Sequence, residues 1–108
     1  MQAIRDVQSF EHASMTLSLC LLYLQQEKLN IETAVTEVIN VINISSGILD
    51  LSPDDSMLRK ITKNLTKVGN LYLFNPQDKL LETPENDTLY QIRYNLRIAI
   101  DYITKNYV

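Results

Sequence analysis

The chain has 108 residues, 45% hydrophobic and 21% charged, with 10 Lys+Arg against 13 Asp+Glu, one Cys and no Trp. So apolar and lightly charged a composition excludes a disordered chain, and the length suits a single helical domain over residues 1–108 that folds without metal or disulfide. One cysteine excludes an internal disulfide framework, and a net charge of −3 gives no global pull toward nucleic acid or an anionic membrane.

The apolar run Leu17–Leu24 is shorter than the ~20 residues a membrane span needs, and Asp6, Glu11 and His12 stand where a signal peptide carries basic charge. A cytoplasmic protein with no membrane association is the expectation. The pattern is all-α. A first helix is predicted from Phe10 to Lys28, with Leu17, Leu21 and Leu24 at helical spacing. Leu19, Cys20, Leu22 and Tyr23 widen that stripe until little polar face remains, which places the helix either centrally in the fold or against a partner.

Asn30 is the predicted cap of a second helix, in which Ile31, Ala34, Val35, Val38, Ile39 and Ile42 form the apolar stripe while Glu32 and Glu37 stay off it. Gly47 marks its expected end, with Ile48, Leu49 and Leu51 tucked back as a loop. Ser52-Pro53-Asp54-Asp55 then combines a cap, a proline suited to the first helical position and two acids that favour the helix dipole. Helix three is expected at residues 53–68, burying Met57, Leu58, Ile61, Leu65 and Val68 and stopping at Gly69. A short apolar connector follows at residues 71–75, and Asn75-Pro76 begins at most one helical turn through Leu81.

Thr83-Pro84-Glu85 repeats the cap logic for a last helix running to about Asn106. Leu89, Ile92, Leu96, Ala99, Ile100, Ile103 and Tyr107 form its core stripe, and Tyr90, Tyr94, Ile98, Asp101 and Tyr102 lie on another side. Four main helices in a compact bundle are therefore the expected fold.

The chemistry of catalysis finds few candidates in this sequence. The only histidine, His12, precedes the only cysteine, Cys20, by eight residues, about 12 Å of helical rise and too far for a dyad. Cys20 sits among apolar neighbours and reads as a small buried hydrophobe. No zinc, di-iron or calcium pattern and no glycine-rich phosphate loop occurs, so a non-enzymatic protein without cofactor or metal is expected.

Charge is segregated. Residues 1–55 hold eight acids and two bases, and residues 56–108 eight bases and five acids. Arg59, Lys60, Lys63 and Lys67 form a ridge on helix three, suited either to solvent or to an anion such as a nucleic-acid backbone. The stripe Tyr90, Tyr94, Ile98 and Tyr102 is a surplus beyond the single face a bundle helix normally buries, and tyrosine serves interfaces well. The reading favoured by these features is a small non-catalytic regulator or inhibitor that neutralises a protein partner through helix faces, as a homodimer. The alternative is a nucleic-acid-binding regulator acting through the ridge of helix 53–68.

Overall fold

The computed structural model describes residues 7–76 and 87–108. Four helices account for most of them: α1 (Phe10–Leu24), α2 (Ile31–Leu51), α3 (Ser56–Phe74) and α4 (Thr88–Tyr107). The first turn of a helix leaves backbone N–H groups without intrahelical partners, and each helix here meets that need with a side-chain oxygen. Ser9 accepts from the backbone N–H of His12, Asn30 from Thr33, Asp55 from Leu58 and Asp87 from Tyr90.

Each helix packs on the next in sequence, and α4 closes the ring against α1. The ends confirm the antiparallel arrangement. Phe10, at the start of α1, stacks on Tyr107 at the end of α4, while Arg93, near the start of α4, donates to the carbonyl of Leu24 at the end of α1. The core lies where four apolar stripes meet, with Leu17, Leu24, Val38, Ile44, Leu65, Ile92 and Leu96 fully enclosed. α2 is by length and composition alone capable of crossing a membrane, yet in the bundle its Ala34, Val38, Val41, Ile44 and Ile48 are sealed against the other helices.

Several sequence expectations shift against this frame. α1 ends at Leu24 and not at Lys28, because Gln25, Gln26, Glu27 and Lys28 offer nothing to bury. α2 runs straight through Gly47 to Leu51, and Gly47 keeps ordinary helical backbone. Its missing side chain serves packing instead: a Cβ there would lie 2.9 Å from Cβ and Cγ2 of Val7, whose segment crosses the helix at that point.

Because α2 extends so far, residues 52–55 are the whole linker. Asp55 N–H bonds back to the Ser52 carbonyl at 3.4 Å with Pro53 at the second turn position, so Pro53 builds a β-turn and capping passes to Asp55. α3 therefore begins at Ser56, passes through Gly69 and absorbs the expected connector at 71–75 up to Phe74. Gly69 lets α3 approach α2, where an added Cβ would stand 3.0 Å from the Ile42 side chain. Asn75 caps the end of α3. The expected turn at 76–81 lies almost wholly outside the described residues, as do Thr83, Pro84 and Glu85, and the last helix starts later than expected, at Thr88, because the extended Asp87 caps it there.

Faces were also redistributed. Glu37 is buried, whereas Ile31 and Ile39 are exposed and the buried side of α2 turns toward Val41, Ile44 and Ile48. A ring position explains this, since α2 must face α1 on one flank and α3 on the other. Met57 of α3 is likewise exposed.

Candidate functional site

Among the described residues, the outward faces of α1 and α4 together expose more large apolar side chains than those of α2 and α3. On α1 the buried stripe is Ala13, Leu17, Cys20 and Leu24, which leaves Met15, Leu19, Leu22 and Tyr23 in solvent, Met15 at 61% and Leu22 at 60% exposure. On α4 the residues Leu89, Ile92, Leu96, Ala99 and Ile103 are buried, and Tyr90, Tyr94 and Ile98 are exposed, Tyr94 at 52%. Between the helices runs an open groove of about 420 Å³. Ser18, Leu21, Leu22 and Gln25 line its α1 side, and Arg97, Ile100, Asp101 and Thr104 its α4 side. A concave strip lined by Leu21, Leu22 and Ile100 together with Arg97 and Asp101, on helices that expose further large apolar side chains, has the chemistry of a protein-docking surface.

Tyr102, grouped in sequence with Tyr90, Tyr94 and Ile98, does not share that face. Its hydroxyl donates to both carboxylate oxygens of Asp55, at 3.0 and 2.8 Å, across the α3–α4 seam. Tyr107 also donates to Asp55, and its hydroxyl lies 3.3 Å from that of Ser52. Phe10 stacks on the Tyr107 ring with centroids 3.8 Å apart. These bonds, first that from Tyr107 and then the Leu58 N–H, hold the Asp55 carboxyl below its ordinary range. Asp55 in turn pushes both phenols up. Asp55 thus caps α3 while holding the end of α4, a structural duty.

The basic residues of α3 are all exposed, and α3 contains no acid. The Arg59 guanidinium donates to the carbonyl of Pro53 and so braces the 52–55 turn. Lys60, Lys63 and Lys67 make no ion pair among the described residues. At the other end of α4, Arg93 approaches Asp87 at 3.9 Å while donating to the Leu24 carbonyl, placing a cation at the negative end of α1.

Sequence reading missed the polar contact between α1 and α2. Glu37, only 3% exposed, faces Cys20. Burial first, and then the charge and hydrogen bond of Glu37, push the Cys20 thiol up, so it stays protonated and unreactive at neutral pH. His12 is far from it. Its ring Nδ1 accepts from the Gln8 N–H at the outer end of α1. Among the described residues no three His, Cys, Asp or Glu side chains gather as a metal site. Searches against family models, characterised proteins and solved structures return no match to this chain.

Proposed function

We propose that this protein is a small non-catalytic regulator, a cytoplasmic helical bundle that acts by docking another protein chain on the outer face of α1 and α4. The supporting observation is the pair of exposed apolar banks, Met15, Leu19 and Leu22 on one helix and Tyr90, Tyr94 and Ile98 on the other, with a groove between the two helices that Leu22 lines. Left in water, such a surface is an aggregation liability, and covering it is worth about 25 cal/mol per Å² of apolar area. The bundle core does not need these side chains, since each helix already buries a separate stripe.

A photo-crosslinking side chain introduced at Leu22, and separately at Lys63, in the native cells tests the proposal. The reading expects protein adducts from position 22 that vanish when Tyr94→Ala is added, with helix content and Tm unchanged. Adducts arising only from position 63, and sensitive to nuclease, would overturn it in favour of nucleic-acid binding through Lys60, Lys63 and Lys67.

A further inference from the structure

We infer that the chain docked on the α1–α4 face is a second copy of this protein, related by a two-fold axis crossing α4 at the level of Ala99. The inference rests on the docking reading above and names its occupant. Along the outward face of α4, the residues Tyr90, Tyr94, Arg97, Asp101, Thr104 and Val108 follow one another at spacings of four, three, four, three and four, the spacing of a two-stranded helix seam, and Arg97, Asp101 and Thr104 among them line the groove. All six are exposed.

The seam is symmetric in spacing about residue 99 and complementary in charge at its centre. Laid antiparallel on its own copy, it sets Arg97 opposite Asp101 twice, Tyr94 opposite Thr104, and Tyr90 opposite Val108. Self-complementarity of this kind is the requirement of a two-fold interface, in which residue i meets j and j meets i. Charge supports it further. Arg97 has no ion pair among the described residues, although it stands on the rim of an apolar groove, and Asp101 has only the exposed Lys105 at 3.3 Å. An exposed pair within one helix is worth little, so Asp101 remains available to an arginine that becomes desolvated in an interface.

Helices of fifteen and twenty residues lying ~10 Å apart present a face roughly 25 Å by 20 Å, about 500 Å² per copy, which brings a two-fold pair to the ~1,000 Å² total at which specific interfaces begin. Leu22, on the α1 bank beside Arg97 and Asp101, would shield the two central ion pairs from water.

The test is the mass in solution of four proteins: the unaltered chain, Arg97→Glu, Asp101→Arg, and the double variant. The positions are exposed, and circular dichroism checks that each variant keeps its helices. The unaltered chain should run at twice 12.5 kDa. Each single variant sets like charges against each other at both central positions and should weaken dimerisation roughly 10–100-fold. An equimolar mixture of the two single variants should dimerise again, as should the double variant, because opposite charges then face each other at both positions. Dimers unaffected by either single change, or not regained on mixing, would overturn the two-fold arrangement. A monomeric unaltered chain at submillimolar concentration would overturn the second copy altogether. The docking reading would survive that last result if position 22 still formed adducts with a different protein, and would fall with it if no adduct formed.

Discussion

The four tyrosines of α4 divide into two pairs with opposite uses. Tyr102 and Tyr107, in the last turns, donate to Asp55 and tie the end of α4 to the start of α3, with Phe10 stacked on Tyr107. Tyr90 and Tyr94, in the first turns, make no such bond among the described residues and stand in solvent beside Arg97 and Asp101. A residue type that combines a large apolar ring with a polar tip serves either purpose. What distinguishes the pairs is the neighbour each meets: a carboxylate already fixed as a helix cap at one end, and solvent at the other.

The strongest way to break this contrast is to remove the carboxylate. Asp55→Ala deletes the cap of α3 and the acceptor of both tyrosine hydroxyls, and it should lower Tm by about 5–10 °C in thermal unfolding, more than any other exposed or half-buried polar change. The same site sets a pH dependence. Because hydrogen bonds lower the Asp55 carboxyl in the folded state, its stabilisation is fully present above the ordinary carboxylate value and is lost as pH falls through the folded one. The raised Tyr102 and Tyr107 phenols act in the opposite sense, stabilising below the ordinary phenol value and losing that contribution as pH rises through the folded one. Asp55→Asn should flatten the acid limb in urea unfolding followed against pH.

A smaller effect is expected at Gly47. Gly47→Ala gains helix propensity but drives a Cβ into Val7, for a net loss of about 1–2 kcal/mol in chemical unfolding. Val7→Ala in that background should recover part of it, since the clash is with the Val7 side chain. At the bottom of the scale, Tyr94→Ala should change stability by no more than about 0.5 kcal/mol, the usual range for a surface position. Its effect belongs to association.

Much of the helical plan was legible in the sequence, because the caps Asn30 and the apolar stripe of α4 obey local rules that the bundle has no reason to override. The shifted ends of α2 and α3 share one cause. Backbone freedom makes Gly47 and Gly69 read as stops, whereas both are helical and small because a neighbour passes close, which is a tertiary fact. Burial of Glu37 was invisible for a similar reason: which flank of α2 meets α1 depends on the closed ring. For the candidate site, periodicity correctly set Tyr90, Tyr94 and Ile98 apart from the core stripe. It could not separate Tyr102 from them, because the partner that turns Tyr102 inward, Asp55, lies 47 positions earlier in the chain. The α1 half of the groove was foreshadowed only as an apolar excess.

Two exposed methionines provide an internal comparison for the central claim. Met15 stands on the outer face of α1 and Met57 at the start of α3, at 61% and 51% exposure. The measurement is the rate at which peroxide converts each to the sulfoxide, followed by peptide mass as protein concentration is raised. Docking of a second copy on the α1–α4 face predicts that Met15 becomes progressively protected while Met57 reacts at a constant rate. Equal rates for the two at every concentration, or protection of Met57 alone, would contradict it.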